Sequence, residues 1–395
     1  MTEPAERKRC CMESAQLEIT FGINVNKKLH NNLTPSFQQI DYTTQLFYGK
    51  ILTMKTHAII PIFIPHRGCP NDCVFCNQKA ITARTADVTP EDARRTIETY
   101  LPTLQGRNLE TIEVAFFGGS FTGIPLDEQS AFLAVAREYK DAGLIDKIHM
   151  STRPDYIDRC ILDNLRSYDA DTIELGVQSF DPGVLKASDR GHTADDVYEA
   201  CRLIKEYGFE LGIQLMIGLP GDSMEKCIFS AREAVRIGPS IARLYPTIVL
   251  NDTELYEMYR RGEYEPLSTD TAVQITKEMY KILDSAGISI IRVGLKSTDL
   301  ITDGGEIQGH TFHPAFRQLV EGAIAREQLE AQLQIILTES PDTGSVTFTS
   351  KGTSFSNMIG NAKSNKLYFA GKYPDLKIRY KTDSSLEDGC YTVVK

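Results

Sequence analysis

The feature that most constrains the fold of this chain is an alternation between short apolar runs and longer amphipathic stretches, which begins near His57. The apolar runs have the length of strands, and the stretches between them have the length of helices. This alternation is typical of βα units around a parallel sheet. The predicted strands are residues 58–65, 111–117, 147–151, 172–177, 210–217 and 241–250, and residues 288–293 are a further candidate.

Local signals for helix starts support the alternation. Thr89 precedes Pro90 in the first helical turn, and Asp92 stands three residues after the capping threonine. Thr193 and Asp196 repeat this capping pattern before another amphipathic stretch. The six resulting βα units predict an α/β fold with fewer units than the eight of a closed barrel.

The two ends of the chain differ from this repeating region. Residues 1–53 are polar and lack periodicity, so we expect a disordered extension or a start codon placed too early, before Met54. Residues 54–295 form the predicted barrel. Residues 296–395 are predicted as a small α+β region, with a helix over 313–333, strands over 333–337, 345–349 and 376–380, and a helix near 354–362.

The composition excludes several classes of protein. No apolar run approaches the roughly 18 residues that span a membrane, and no apolar segment follows the basic residues at the N-terminus. We therefore expect no membrane partner, and we expect a cytoplasmic location in which the nine cysteines stay reduced. The net charge of −10 argues against a broadly basic surface for nucleic acid but leaves room for a local basic patch.

Three of the cysteines, Cys69, Cys73 and Cys76, lie close together directly after the first predicted strand. Their C-x3-C-x2-C spacing allows three thiolates on one loop to bind one metal centre. An iron–sulfur cluster usually has four cysteine ligands, so three leave one iron with an open position. The alternative is a zinc site completed by His66 or a distant cysteine, but zinc motifs generally come as paired C-x2-C units. The spacing favours an iron–sulfur cluster.

This spacing, with the aromatic Phe75 before the last cysteine, resembles the radical S-adenosylmethionine (SAM) superfamily over roughly residues 57–295. The resemblance implies a partial (β/α)6 TIM-like barrel. It also implies two cofactors, a [4Fe–4S] cluster bound by the three cysteines and SAM bound at the open iron. In that family an electron from the reduced cluster cleaves SAM, and the resulting 5′-deoxyadenosyl radical abstracts a hydrogen atom from the substrate.

Further motifs fit the resemblance. The Gly118-Gly119-Ser120 run resembles the family loop that lets the backbone approach the amino group of SAM. The single loop histidines His192, His310 and His313 are more typical of structural residues, so no catalytic acid or base is assigned. The SAM-binding residues implied by the resemblance are Phe75, Gly118, Gly119, Ser120, Ser151, Arg153, Gln178, Arg190 and Gln214.

Two runs, 176–181 and 188–192, resemble the branch that contains oxygen-independent coproporphyrinogen oxidase and the Elongator catalytic subunit. Residues 242–247, 254–256, 292–295 and 313–316 resemble the Elongator-like members of that branch. The Elongator subunit carries an acetyltransferase domain after its radical domain. Only about a hundred residues follow the predicted barrel here, so we expect no such domain in this sequence.

The sequence thus predicts a radical SAM enzyme with an unidentified substrate, for which a tRNA nucleoside is one candidate. The alternatives are an enzyme similar to coproporphyrinogen oxidase that acts on a small molecule, and an iron–sulfur sensing or binding protein without catalysis. The enzyme would need a one-electron donor, which we expect to be flavodoxin-like or ferredoxin-like. The basic residues predicted to contact tRNA are Arg67, Lys79, Arg84, Arg153 and Lys296.

Overall fold

The computed structural model describes residues 56–64, 69, 73–77, 88–295 and 307–395. Within these residues, seven parallel strands form one curled sheet, and their order in the sheet follows their order in the chain. This confirms the predicted α/β partial barrel. The strands are β1 (His57–Ile64), β2 (Thr111–Gly118), β3 (Lys147–Thr152), β4 (Thr172–Gln178), β5 (Glu210–Ile217), β6 (Ile241–Pro246) and β8 (Ser289–Val293).

Helices connect the strands and cover one face of the sheet. On β2, Val114 and Phe116 pack against Phe132 and Leu133 of the following helix, so alternate strand residues form the main hydrophobic core. The face of the sheet opposite this core is called the concave face below. The helices of this part are α1 (Pro90–Leu104), α2 (Leu126–Asp141), α3 (Arg159–Ser167), α4 (Pro182–Ala187), α5 (Ala194–Glu206), α6 (Met224–Ile237), α7 (Glu254–Arg260) and α8 (Thr269–Ser285).

The predicted strand over residues 241–250 is divided in the structure. β6 ends at Pro246, which has no amide hydrogen to continue the ladder. The short strand β7 (Val249–Leu250) then pairs antiparallel with β9 (Ile307–Gln308) outside the main sheet. The candidate strand over 288–293 is confirmed as β8, which pairs with β6 and makes the barrel sheet seven-stranded.

The C-terminal part begins within one long helix, α9 (Phe316–Glu339). Phe316, Val320 and Ala323 of this helix pack into the barrel core, whereas its later buried residues pack into a second hydrophobic cluster. The remaining elements are β10 (Ser345–Ser350), α10 (Phe355–Ile359), α11 (Ser364–Lys372), β11 (Lys377–Thr382) and β12 (Tyr391–Val394), and the strands form a sheet in the order β11-β10-β12.

The strand predicted over residues 333–337 is wrong, because these residues continue α9. Ala325, Leu329 and Leu333 recur at four-residue intervals and are fully buried in the second cluster. This helical spacing extends the buried face of α9 to Leu333, and it outweighs the strand-like composition of the segment. The helix α11 and the strand β12 were not predicted. Residues 1–53, and with them the predicted disordered extension, lie outside the described residues.

Among the described residues, none of the helices combines the length and hydropathy required to cross a bilayer.

Candidate active site

The cysteine segment follows β1 at the carboxyl end of the parallel sheet, where barrel enzymes build their sites. The amide of Cys76 donates to the carbonyl of Cys73 at 2.9 Å, which closes a tight turn. The amide of Val74 donates to the carbonyl of Ser188 at 3.2 Å, and the carbonyl of Val74 accepts from Leu255 at 2.7 Å. The turn is therefore fixed between the loop that follows α4 and the first residues of α7.

Polar side chains from three other loops contact the cysteine sulfurs. The Sγ of Cys69 lies 3.2 Å from the hydroxyl of Ser120, in the loop after β2. The guanidinium of Arg190 lies 3.3 Å from the Sγ of buried Cys73, and that of Arg153 lies 4.0 Å from the same sulfur. Cationic donors next to a sulfur offset the negative charge of a thiolate ligand. This environment suits cysteines that bind a metal centre.

The three thiols do not gather around one point. Among the described residues, no three His, Cys, Asp or Glu side chains lie close enough to share a single metal ion. A structural zinc ion needs its ligands at about 2.0 to 2.3 Å around one centre. In a [4Fe–4S] cluster, each thiolate binds a different iron, so the sulfurs stand apart. His66, the alternative zinc ligand, lies outside the described residues, so the preference for a cluster continues to rest on the cysteine spacing.

Gly118 allows the ends of β1 and β2 to approach closely. Its φ of +109° lies in a region that favours glycine. The amide of the next residue, Gly119, donates to the carbonyl of Ile64 at 2.8 Å. A Cβ atom at position 118 would lie 2.8 Å from the backbone oxygen of Ile64. The glycine motif therefore holds the end of β1, from which the cysteine loop departs, against the loop of Ser120.

Gln178 ends β4 in a strained conformation. Its φ is +67°, which non-glycine residues rarely adopt, and the pairing of β4 with β5 shifts register at this point. The side chain is 8% exposed, and its Oε1 is buried without a hydrogen-bond partner in the described structure. A buried acceptor without a donor is costly unless a ligand supplies one. Gln178 thus fits a cosubstrate that carries hydroxyl or amino donors.

Arg190 joins the β4 loop to the cysteine turn. One nitrogen donates to the carbonyl of Gly176 at 2.6 Å while another contacts Cys73. A Cβ atom at Gly176 would lie 2.8 Å from the end of this guanidinium, so the glycine leaves Arg190 room to take its present position. The nearby His192 is buried, and burial together with Arg190 and Arg153 lowers its pKa to about 3. His192 is therefore neutral, as expected of a structural histidine.

Arg153 is 1% exposed and makes a bidentate ion pair with Asp155 at 2.9 and 3.0 Å. The prediction that Arg153 contacts tRNA is wrong, because a guanidinium with this burial and this partner cannot reach a macromolecule. The other predicted tRNA contacts, Arg67, Lys79, Arg84 and Lys296, lie outside the described residues.

The remaining predicted site residues lie at different distances from the cysteines. Ser151 is half-buried on β3, two residues before Arg153. Phe75 packs with Val249 and Leu255 in a small cluster that supports the cysteine turn. Gln214 lies on the concave face of β5. Its side chain hydrogen-bonds to the carboxylate of Glu174 and helps to lower the pKa of that group, so its contact is with Glu174 rather than with the cysteine turn.

A row of charged residues crosses the concave face, and of these the sequence suggested only Glu174 and Arg243, as residues that could either line the substrate side or serve the structure. Glu113, His149, Glu174 and Arg243 are each the third residue of their strand, and they are called the polar layer here. His149 lies 3.2 Å from Glu113 and 3.1 Å from Glu174, and the Nε of Arg243 lies 2.6 Å from Glu174. The signal for this layer was a charged residue or histidine at the third position of each of these four strands.

The polar layer controls the charge of His149. Burial alone would lower its pKa, but the contacts with Glu113 and Glu174 raise it to about 9. Glu174 is fully buried, which opposes ionisation, yet Arg243 and His149 hold its pKa below the ordinary value. His149 is therefore a buried imidazolium between two carboxylates at neutral pH.

We expect the His149 charge to make stability depend on pH. Its pKa is raised above the ordinary 6.5, so its contribution is complete below that pH and is lost as pH rises through about 9. The loss between pH 7 and pH 10 should be about 2 to 3 kcal/mol. Urea unfolding at both pH values measures it, and His149→Gln should show a smaller loss. An equal loss in both proteins would contradict this assignment.

Two protein-family models match the chain. The model of the radical SAM superfamily matches residues 63–234, and that of the radical SAM C-terminal domain matches residues 239–326. The tRNA uridine(34) acetyltransferase of Methanocaldococcus jannaschii is 26% identical over 70% of this chain and 62% of its own length. That of Methanocaldococcus infernus is 28% identical over 57% of this chain and 49% of its own length.

Elongator complex protein 3 of Homo sapiens is 27% identical over 59% of this chain and 50% of its own length. The solved structure of Elp3 from Methanocaldococcus infernus, with an N-terminal deletion, superposes with a TM-score of 0.56 at 22% identity and covers 70% of this chain and 64% of that one. The chain spans only about half to three fifths of the length of these curated relatives. The chain belongs to the radical SAM superfamily, is similar to the Elongator-like members of it, and has a [4Fe–4S] cluster and SAM as its cofactors.

Proposed function

We propose that this protein is a radical SAM enzyme that acts on a nucleoside of tRNA and whose cluster is bound by Cys69, Cys73 and Cys76. The observation that carries the proposal is the convergence of Ser120, Arg153 and Arg190 on the cysteine sulfurs at the carboxyl ends of parallel strands. When bound, the cluster and SAM supply a 5′-deoxyadenosyl radical that abstracts hydrogen. The protein's own residues supply binding, orientation and the exclusion of water.

The described residues suggest how SAM would be held. Gln178 offers a buried acceptor to a hydroxyl or amino group, and Arg190 and Arg153 place positive charge beside Cys73. The backbone of Gly119 and the hydroxyl of Ser120 lie in the loop after β2, next to Cys69. The strained φ of Gln178 supports this role, because such strain persists mainly where a site requires a fixed side-chain direction.

The tRNA part of the proposal rests first on the relatives, which are named tRNA uridine(34) acetyltransferases. A second support comes from the C-terminal sheet. Residues 345–395 carry eight Lys or Arg against four Asp or Glu, so this region is basic within a chain of net charge −10. A local basic surface is the electrostatic feature that RNA phosphates require.

Three of these eight basic side chains lie together on one face of the sheet. Lys377, Arg379 and Lys381 alternate along the edge strand β11 and are all exposed, whereas Tyr380 between them packs on Phe348 in the second hydrophobic cluster. The neighbouring positions on β10, Ser345, Thr347 and Thr349, present hydroxyl groups on the same face. In the described part of the chain, the three cations make no ion pair. They are called the basic face below.

We expect the basic face to bind tRNA. Arg379→Glu combined with Lys381→Glu should weaken the binding of cluster-loaded protein to tRNA at least tenfold. It should also reduce the slope of log affinity against log salt by about 2, since each lost phosphate contact removes about 1. Gel-shift titration between 50 and 200 mM salt measures both. Cleavage of SAM to 5′-deoxyadenosine by the wild-type protein should rise when tRNA is added.

The matched control reverses two exposed arginines elsewhere on the barrel, Arg107→Glu with Arg232→Glu, which changes the net charge equally. This control should bind tRNA as the wild type does. Equal weakening in both double variants would show a non-specific charge effect. Wild-type protein that cleaves SAM but neither binds tRNA nor responds to it would overturn the tRNA substrate and leave a small molecule in its place. A protein that holds the cluster but never cleaves SAM would be a sensor rather than an enzyme.

A further inference from the structure

Two arginines stand side by side on the concave face. Arg243 of β6 is the register partner of Arg292 of β8, and register partners in neighbouring strands project to the same face of a sheet. Tyr245 lies two residues beyond Arg243 on that face. Burial raises the pKa of Tyr245, and the nearby guanidinium groups of Arg243 and Arg292 oppose that rise. The three side chains therefore form one group.

In the polar layer and the arginine pair, as far as the described residues go, positive charges outnumber negative charges. Glu113 and Glu174 are matched by protonated His149 and by Arg243, which leaves the positive charge of Arg292. Arg292 is half-buried and makes no ion pair among the described residues. Arg243 is 7% exposed, and its Nη2 is buried without a hydrogen-bond partner in that part of the chain. Two adjacent cations with unused donors are stabilised when an anion binds between them.

The arginine pair lies in line with the proposed SAM site. Strand register places Gly176, Gln214, Arg243 and Arg292 in one row across β4, β5, β6 and β8. At a strand spacing of about 4.8 Å, Arg243 stands about 10 Å from Gly176, whose carbonyl binds Arg190 beside Cys73. This distance suits a reactant that places one end near the cysteines and an anionic group at the arginines.

We propose that Arg243, Arg292 and Tyr245 form a binding site for the anionic group of the substrate, a phosphate or a carboxylate. The planar guanidinium fork of Arg292 provides paired donors to either oxyanion, and the free nitrogen of Arg243 provides a third. The polar layer holds Arg243 in place through Glu174. This inference rests on the proposed function, because it assigns the anion to the substrate rather than to SAM. A nucleotide phosphate and the carboxylate of a small molecule share this chemistry.

Anion binding by the cluster-loaded full chain tests the site. Thermal unfolding is measured with inorganic phosphate, acetate or chloride at constant ionic strength. We expect phosphate or acetate, at tens of millimolar, to raise the wild-type Tm by at least about 1 °C over chloride, since a ligand that binds only the folded state stabilises it. Arg292→Gln should lose this shift and Arg292→Lys should keep part of it. The control Arg232→Gln, on the outer surface of α6, should behave like the wild type.

The two probes distinguish the sources. A shift with phosphate alone supports a nucleotide phosphate, and a shift with acetate alone supports a small-molecule carboxylate. The absence of a shift with either anion, or an equal shift in Arg292→Gln, overturns the site. The proposed function fails separately: a Tm shift that depends on Arg292, in a protein whose SAM cleavage ignores tRNA, would keep the anion site and reject the tRNA substrate.

Discussion

Replacing Cys73 by alanine is expected to yield a protein that folds but holds no [4Fe–4S] cluster. Cys73 is buried at 6% exposure and is the sulfur that Arg153 and Arg190 both approach. Three thiolates bind three of the four irons, so the loss of one leaves the cluster attached to the protein at only two irons, too few to retain it. Iron and sulfide analysis after anaerobic reconstitution should fall from about four of each per chain to near zero. Cys69→Ala and Cys76→Ala should do the same.

Two other cysteines provide controls. Cys160 is exposed on α3, and Cys227 is buried on α6, where its thiol lies 3.0 Å from the carboxylate of Asp222. Burial and the charge of Asp222 raise the pKa of Cys227, so it is a poor metal ligand. Alanine at either position should leave iron and sulfide unchanged. Stoichiometric zinc without sulfide, in protein purified without oxygen, would refute the cluster.

Gly118→Ala is expected to reduce SAM cleavage at least a hundredfold. The new Cβ would lie 2.8 Å from the backbone oxygen of Ile64 and 3.1 Å from its nitrogen, and backbone cannot move aside as a flexible side chain can. The end of β1 would shift relative to Ser120, and with it the cysteine loop. A displacement of about 1 Å near a reacting group can cost 10²-fold in rate. Formation of 5′-deoxyadenosine under strong reductant measures the effect.

Gly106→Ala is the matched control. Gly106 also has a positive φ, +76°, but a Cβ there would meet nothing within 4 Å. This variant carries only the backbone strain of about 1 to 2 kcal/mol, without the clash. It should lose some stability and keep its cleavage rate. Comparable loss of cleavage in both glycine variants would mean that strain alone, and not the approach of β1 to β2, explains the defect.

The parts of the fold that depend on local chemistry could be predicted from the sequence. Thr89 and Thr193 accept from the amides of Asp92 and Asp196, which closes both predicted capping boxes. The strands of the barrel begin and end within two residues of their predicted bounds, apart from the division at Pro246. Buried parallel strands are apolar along most of their length, and this property is visible in a single sequence.

Features that depend on tertiary contacts could not be predicted. Residues 333–337 have a strand-like composition, and only the second hydrophobic cluster shows that they continue a helix. The direction of Arg153 depends on Asp155 and on the cysteine turn, so its charge alone suggested a surface contact. The positive φ of Gln178 follows from a register shift between two strands, which leaves no trace in composition.

The helix α9 gives the C-terminal sheet a fixed relation to the barrel. Its 24 residues extend about 36 Å, with Phe316 and Val320 anchored in the barrel core and Leu329 and Leu333 anchored in the second cluster. An RNA held on the basic face would be clamped at one end of a rigid spacer whose other end is the catalytic barrel. The nucleotide that reaches the cysteines would then be selected by its distance along the RNA from the nucleotides bound at the basic face, and not by the identity of its base.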